Sequence, residues 1–361
     1  MQYELIAVLC IIFCLFILGI EYLWLAVLAK QQEDKKNEYA VTAQKCTCIV
    51  EGIVYSPTES SRENEIESLK KLMGTNTKIF EIINAQLCFW DEYGDDEMLP
   101  DKHEIIDRVY ETLNPIGLFA DILKSGDKHK IGYACRRLAD FDAFDYLNDI
   151  YELSKSGNRD ISYNAAMALA RLGYAEGVAE YILRIEKDEK YSSRIICELF
   201  DHFSCDRSEL ASLVFKNCDE YMKVVVIKAI SPYGLHQFES IYSVGTASKN
   251  DEMRIACVKA LGELADPKYE HTLLTAAKDK NWIVRSNAIK GLQKFATSAA
   301  IKGIKEALKD KEWWVRQTAA NALIDMNVSI SEIEDVLSGY DKYASDAVKY
   351  ALYRSIDMNE E

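Results

Sequence analysis

Three arginines recur at a fixed interval in the C-terminal third of the chain. Arg254, Arg285 and Arg316 lie 31 residues apart, each in the first turn of a helix-forming stretch rich in small residues. A fixed period of roughly 20 to 50 residues is the signature of a repeat array, in which each unit buries its apolar face against its neighbours. The period therefore predicts a solenoid, an architecture that offers a long binding surface.

The same period continues towards the N-terminus. In steps of 30 or 31 residues, one helix-start column contains Ile131, Ser162, Ser193, Lys223, Arg254, Arg285 and Arg316. Positions three, seven and ten residues further on are small or apolar, and these offsets lie on one face of an α-helix. A second helix alternates with the first at a similar period. We therefore predict an all-α fold, in which residues 100–361 form a right-handed α-solenoid of about seven to eight helical hairpins.

Two consecutive units near the C-terminus carry a motif. Asp279 and Asp310 each precede a Val-Arg pair, which ends at Arg285 or Arg316, and alanines follow. In this pattern the chain resembles the HEAT-repeat family. The resemblance implies that these aspartates and arginines are structural and bond within and between repeats. Repeats before residue 250 match in apolar spacing only, and such a resemblance says more about fold than about function.

A long apolar run opens the chain. Residues 5–29 contain one charged residue, Glu21, and a helix of this length spans roughly 37 Å, enough to cross a hydrocarbon core of about 30 Å. Lysines follow the run and none precedes it, so the positive-inside tendency places the C-terminal side in the cytoplasm. A cleaved signal peptide is the alternative, but the run is long and lacks a basic start. We predict a single-pass anchor in the cell membrane.

Glu21 lies near the cytoplasmic end of this run. An acidic residue in a membrane helix is a candidate for pairing with a basic residue of a partner helix. The alternative is that Glu21 reaches headgroup water at the boundary, where most of the desolvation cost disappears.

These patterns divide the chain into four segments. Residues 1–29 form the transmembrane anchor, residues 30–58 a juxtamembrane linker, residues 59–99 an N-terminal helical cap and residues 100–361 the solenoid. Ser60–Met73 and Lys78–Tyr93 are predicted helices, joined by a turn at residues 74–77. The β-branched residues between Cys46 and Tyr55 favour a short extended segment, and disorder over residues 39–57 is the alternative.

The charge balance and the cysteines limit the function classes. The formal net charge is −15, whereas nucleic-acid binding surfaces are normally basic, so we expect no nucleic-acid partner. The ten cysteines form no disulfide framework, and several, such as Cys135 and Cys257, fall in apolar columns of the repeat. They therefore predict free thiols in a reducing compartment, which agrees with a cytoplasmic solenoid.

No constellation of residues in the sequence supports a catalytic, metal or cofactor site. The HEAT-like di-iron hydroxylases carry a set of His-Glu pairs, whereas this chain has a single His-Glu pair, His103-Glu104. His202 and Cys205 form a lone pair without a second pair of metal ligands, and no Walker-type phosphate loop or nucleophile elbow is present. The alternative is a HEAT-like enzyme, a lyase or hydrolase with its site in the concave groove.

Candidate binding residues lie on the exposed side of the repeat helices. Lys228, Lys259 and Lys290 stand five residues after successive helix starts, and Lys294 lies on the same side. This position is nearly opposite the apolar face. The lysines predict a basic ridge that docks an acidic partner or the anionic leaflet. An ordinary solvated face is the alternative, because lysine is common on helix surfaces.

The tryptophans are the other candidates. Trp314 stands in a variable column and is a candidate interface anchor, with packing across the next repeat as the alternative. Trp282 and Trp313 share a repeat position, and we expect them to pack between units.

Together these features predict a membrane-anchored scaffold or adaptor. A solenoid offers a long surface, and an anchor raises the local concentration of whatever it binds. We expect a protein partner, itself a membrane protein or membrane complex, and by family analogy one such complex is a polysaccharide-synthesising glycosyltransferase. An outward-facing module that binds a glycan or envelope component is a further alternative, which the accessibility of Cys218 in intact cells would decide.

Overall fold

A computed structural model describes residues 2–56, 58–94, 101–186 and 193–357, without the side chains of residues 2–20, 23, 356 and 357. Helices dominate this part of the chain, and none of its residues lies in a β-strand. The predicted all-α class is confirmed. The chain divides into two compact units, Met1–Asp121 and Ile122–Glu361.

The first unit contains helices α1 (Gln2–Val54), α2 (Glu59–Met73), α3 (Thr77–Tyr93) and α4 (Lys102–Leu113). Its boundary falls within α5 (Pro115–Lys124). Thr58 begins α2 by accepting the N–H of Ser61 at 3.3 Å, and Asn76 begins α3 by accepting the N–H of Lys78 at 3.0 Å. Such side-chain caps satisfy donors that the helix itself leaves open. The two helices predicted for this region, and the turn between them, are confirmed.

The linker is helical, which corrects the expectation of an extended segment between Cys46 and Tyr55. α1 continues without interruption to Val54. Cys46, Val50 and Ile53 are at most 1% exposed, and their spacing places them on one helix face. α1 packs against α2 and α3. Burial of a helical stripe therefore outweighs the β-propensity of single residues, which depends strongly on context.

The N-terminal part of α1 carries the predicted anchor. Among the residues whose side chains are described, no helix combines the length and the apolarity needed to cross a membrane. Most of the predicted run, residues 5–20 and Leu23, lies outside those residues, so the anchor stays a prediction. In the described remainder, Trp24, Leu25 and Val27 are 63%, 59% and 53% exposed.

The second unit is a succession of helices in two rows. The helices are α6 (Lys128–Asp140), α7 (Leu147–Ser154), α8 (Arg159–Arg171), α9 (Ala175–Ile185), α10 (Ser193–Asp201), α11 (Arg207–Asn217), α12 (Glu220–Ile230), α13 (Glu239–Gly245), α14 (Asp251–Leu264), α15 (Glu270–Ala276), α16 (Trp282–Leu292), α17 (Ser298–Ala307), α18 (Trp313–Asp325), α19 (Ile330–Leu337) and α20 (Lys342–Asp357). From α7 to α20 they alternate as seven helix pairs, which confirms the predicted array of helical hairpins. The right-handed sense of the superhelix stays a prediction.

The two rows are packed unequally. Successive even-numbered helices contact one another from α6 to α20, whereas from α13 to α18 successive odd-numbered helices touch sparsely. Closer packing on one side bends a stack of repeats towards that side. In this segment the even-numbered row therefore lines the concave surface.

The predicted core columns are buried. The column three residues after each helix start is at most 3% exposed at Ala134, Ala165, Ile196, Val226, Cys257, Ala288 and Ala319. The column seven residues after each start is 0% exposed at Leu138, Leu169, Phe200, Ile230, Leu261, Leu292 and Leu323. Each even-numbered helix thus contributes one continuous apolar stripe to a shared core, as expected for stacked repeats.

Two glycines allow α14 and α16 to approach closely. A Cβ atom on Gly291 would lie 2.9 Å from the Cα of Gly262 and 3.1 Å from Cδ1 of Leu273. Both distances are shorter than ordinary van der Waals contact between carbon atoms. The two backbones therefore meet directly, and any larger side chain at this crossing must push the helices apart.

Two buried ion pairs connect successive repeats. Arg254 donates from Nε to Asp279 at 2.9 Å and from Nη2 at 3.1 Å, and Arg285 donates from the same two atoms to Asp310, both at 2.7 Å. The two arginines are only 5% and 6% exposed. Bidentate pairs of this kind are short and directional. The structural role that the family resemblance implies for Asp279, Asp310 and Arg285 is confirmed.

The surroundings keep both aspartates ionised. Burial raises the pKa of Asp279, but the hydrogen bonds from Arg254 and from the N–H of Asn281 outweigh it and hold that pKa below its usual range. The pKa of Asp310 is likewise lowered, because Arg285 and the N–H of Glu312 offset its burial. In return, Asp279 and Asp310 raise the pKa values of their arginines. Both pairs are therefore permanent charges at neutral pH.

We expect Gly291→Ala to destabilise the chain. Alanine favours a helix over glycine by about 1 kcal/mol, but overpacking costs roughly 1 to 3 kcal/mol, and the new methyl would overlap Gly262. The urea midpoint should therefore fall. Gly157→Ala is the control, because a Cβ at Gly157 meets no atom within 4 Å. Equal midpoints for the two variants would show that the backbones at this crossing are not in contact.

Asp310→Asn should cost about 3 kcal/mol of stability, because it leaves Arg285 as an uncompensated buried charge. Asp341→Asn is the matched control, since the Asp341 carboxylate accepts only backbone N–H groups. Urea unfolding measures both, and equal losses would contradict the role of the ion pair.

The same variants test the pH dependence. A carboxyl with a lowered folded pKa contributes stability above its unfolded pKa of about 3.9, and that stability is lost as the pH falls through the folded value. The native chain should therefore lose stability below about pH 4, and D310N should lose less over that range.

Candidate interaction surface

The predicted lysines are exposed on the even-numbered row. Lys228, Lys259 and Lys290 lie on α12, α14 and α16, and Lys294 follows the end of α16. Their side chains point away from the buried columns, as the helical offset of five residues predicts. The structure thus brings the four lysines to one row of helices, whereas their role in binding a partner stays a prediction.

Glutamates of adjacent repeats neutralise two of these lysines. Nζ of Lys228 donates to Glu252 at 2.5 Å, and Nζ of Lys294 donates to Glu263 at 2.6 Å. Lys259 and Lys290 form no ion pair with any residue that the structure describes. Exposed ion pairs are weak and exchange readily with a partner. The unpaired positive charge of this ridge therefore resides on Lys259 and Lys290.

The tryptophans at the start of α16 and α18 belong to the surface. Trp282 is 37% exposed, Trp313 49% and Trp314 60%. The packing of the covered part of Trp282 and Trp313 between repeats stays a prediction, because a shared repeat position fixes the helix face but not how much of a long side chain is covered. The rings of Trp313 and Trp314 meet edge to face at 4.6 Å between centroids. The predicted single anchor at Trp314 is thus one half of an exposed aromatic pair.

Arg316 departs from its two counterparts. Its Nη1 donates to the carbonyl oxygens of Asp310 at 2.8 Å and Lys311 at 3.0 Å. Its Nε is buried without a hydrogen-bond partner, and its guanidinium lies 5.3 Å from the centroid of the Tyr343 ring. Asp341, which continues the 31-residue spacing of Asp279 and Asp310, instead accepts the N–H groups of Tyr343 and Ala344. The between-repeat bond implied for Arg316 is therefore absent among the described residues.

Glu21 lies on α1 with an exposed side chain. It makes no ion pair with any residue whose side chain is described. Its pairing with a partner helix stays a prediction, and so does the alternative that it lies at the membrane boundary.

One cluster has the geometry of a metal site. The donor atoms of His236, Glu239 and Asp266 lie within 4.8 Å of one another. The ammonium of Lys268 bonds to both carboxylates, at 2.9 Å in the case of Asp266, and the hydroxyl of Tyr269 donates to Glu239. The Lys268 ammonium lowers the pKa of Glu239, and the backbone N–H and ammonium of Lys268 lower that of Asp266. Lys268 thus already supplies the positive charge that a metal would bring.

A groove between α15 and α17 lies on the odd-numbered row, opposite the concave surface. It has a volume of 810 Å³, and its rim carries exposed His271, Lys278, Lys302 and Glu306. The carboxylate at its base belongs to Asp310, which Arg285 holds in a bidentate pair. The family resemblance implied the ion pair but not this groove, which depends on how far apart the odd-numbered helices stand.

Comparison with known folds gives loose likenesses to three solved structures. An engineered protein is 14% identical, with 86% of this chain and 98% of that chain covered at a TM-score of 0.33. Human deoxyhypusine hydroxylase in complex with glycerol is 15% identical, with 80% and 98% covered at a TM-score of 0.27. A structure of Kap95p binding to RanGDP is 11% identical, with 86% and 50% covered at a TM-score of 0.44.

Sequence comparison is more specific. No curated protein matches the chain at a significant level. A family model described as HEAT repeats matches residues 244–352, the part of the chain that holds both interrepeat ion pairs and the exposed tryptophans. This segment of the chain is therefore similar in sequence to HEAT repeats.

Proposed function

We propose that this chain is a membrane-anchored HEAT-repeat adaptor that holds a protein partner at the cytoplasmic face of the cell membrane. The observation that carries the proposal is the distribution of charge in the repeats. The buried arginines Arg254 and Arg285 form ion pairs within the chain, whereas Lys259 and Lys290 are exposed on the concave row and have no ion-pair partner among the described residues. Charges that have no structural task are available to a partner.

The aromatic pair supports the same reading. Trp313 and Trp314 expose about half of their surface or more, and exposed tryptophans are favoured anchors in protein interfaces. Lysines and tryptophans on successive even-numbered helices match an extended acidic partner with apolar side chains. A membrane complex such as a polysaccharide-synthesising glycosyltransferase is the kind of partner that we propose, by family analogy alone.

The anchor rests on the apolar run of residues 5–29 and on the lysines that follow it. Trp24, Leu25 and Val27 are exposed on α1, and such a surface is unfavourable in water unless lipid or a partner helix covers it. The described cysteines are free thiols, which agrees with a reducing compartment. These observations support the cytoplasmic orientation and favour it over an outward-facing module that binds a glycan.

The carboxylate at the base of the groove between α15 and α17 supports a binding role rather than catalysis by that residue. A lyase or hydrolase needs a carboxylate free to accept or donate a proton. The carboxylate at the base of this groove, Asp310, is engaged by Arg285 and has a lowered pKa because the hydrogen bonds to it outweigh its burial. The rim is lined by exposed lysine and glutamate side chains.

Charge reversal tests the concave row. We expect the double variant K259E/K290E, and separately Trp314→Ala, to reduce recovery of the partner from detergent-solubilised membranes by tenfold or more, since interface anchors contribute roughly 2 kcal/mol or more. The control is K302E/K309E, which makes the same change of charge at exposed lysines on and just after α17. Equal losses in the two double variants would contradict a specific concave site.

Deletion of residues 1–29 tests the anchor. The full chain should resist carbonate extraction from membranes, because a membrane-spanning helix is held by its apolar surface, and the shortened chain should be released. Maleimide labelling of intact cells reports the orientation. Cys205 is exposed and suits this test, whereas burial and the charge of Glu186 raise the pKa of Cys218 to about 11 and slow its reaction. Labelling of Cys205 before permeabilisation would contradict the cytoplasmic orientation.

A further inference from the structure

The three arginines of the repeat period, Arg254, Arg285 and Arg316, differ in their hydrogen-bond partners. Arg254 and Arg285 each donate from Nε and Nη2 to an aspartate of the next repeat. In Arg316 the edge formed by the same two atoms holds no acceptor among the described residues, and the hydrogen bonds of its guanidinium come from Nη1 alone. At the last position of the series this carboxylate-binding edge, the fork, therefore has no acceptor among the described residues, and its Nε is covered.

Asp341 does not close this fork, although its sequence position is right. Asp279 and Asp310 accept two kinds of donor at once, the arginine and the backbone N–H two residues later. Asp341 keeps the second task, accepting from Tyr343 at 3.1 Å, and adds the N–H of Ala344 at 3.2 Å. Both of these donors belong to the first turn of α20. Both N–H groups bond to Oδ1 of Asp341, and neither oxygen of this carboxylate bonds to Arg316 among the described residues.

The surroundings of Arg316 suit a ligand from outside. Arg316 is half-buried, so its charge is less screened by water than that of a surface lysine. Tyr343 covers the guanidinium from one side and is itself 71% exposed. Trp313 and Trp314, near the start of the same helix, add an exposed apolar surface. On a chain of net charge −15, an unpaired arginine of this kind is a local site of attraction for an anion.

We propose that the Nε and Nη2 edge of Arg316 binds a glutamate or aspartate carboxylate of the protein partner, with Tyr343 as a movable cover. This inference rests on the proposed adaptor function and names the chemistry of one contact within it. The fork takes a carboxylate rather than a general anion because its two counterparts hold carboxylates in the same geometry. A guanidinium offers two parallel hydrogen bonds to such a group, which an ammonium does not.

A peptide-binding measurement tests the proposal. The probe is a fluorescein-labelled tetraglutamate peptide, its neutral control is the tetraglutamine counterpart, and fluorescence anisotropy is measured with the full chain in detergent. We expect the tetraglutamate peptide to bind in preference, and Arg316→Lys, which keeps the charge but removes the fork, to weaken binding by about tenfold. Equal binding by R316K would overturn the proposal, because attraction to positive charge alone would then explain it.

Asp341→Asn supplies the second arm. We expect D341N to bind the tetraglutamate peptide as the native chain does, since Asp341 does not occupy the fork. Binding that tightens tenfold in D341N would overturn the open fork, because it would mean that Asp341 closes it in solution. Thermal unfolding of each variant confirms that it folds. The adaptor function can fail independently of this contact. It would be contradicted if the peptide binds but the native chain recovers no protein from membranes.

Discussion

The bidentate arginine–aspartate pair is the interaction on which the C-terminal repeats depend. An arginine cannot be buried at low free-energy cost unless a carboxylate takes its donors. In Asp310 the same carboxylate also accepts the N–H of Glu312, so one side chain joins two repeats and organises the start of the next helix. Within the C-terminal repeats this connection recurs at the 31-residue period that the earlier repeats share. A change at one aspartate therefore disturbs stacking and helix initiation together.

Much of the fold could be predicted because helix geometry converts sequence spacing directly into a buried face. Leu261, Leu292 and Leu323 share a column of the period, and all three are fully buried. The linker was predicted wrongly for a related reason. Its β-branched residues suggested an extended segment, whereas the spacing of Cys46 and Val50 already matched one face of a helix. Where the two signals disagreed, burial against neighbouring helices decided the outcome, and no single-residue propensity contains that information.

The candidate surface could be predicted only in part. The exposure of Lys259 and Lys290 follows from their angle on the helix. The neutralisation of Lys228 by Glu252 does not, because it depends on which side chains of the neighbouring repeat come within reach. The unpaired state of Arg316 was also hidden, since Asp341 stands at the expected distance along the chain. Whether a carboxylate at a helix start also reaches an arginine of the preceding repeat depends on local geometry that spacing alone does not reveal.

A regular repeat leaves little room for recognition, because each polar group that recurs has a partner that recurs with it. Arg254 and Arg285 illustrate this, since their counterparts arrive at the same interval. Groups available to a partner arise where the pattern breaks. At the start of α18 the variable column brings Trp314 to the surface, and at the same helix the arginine series loses its carboxylate. Both departures occur within one turn of α18, so the beginning of this helix is where an acidic, partly apolar segment finds complementary groups.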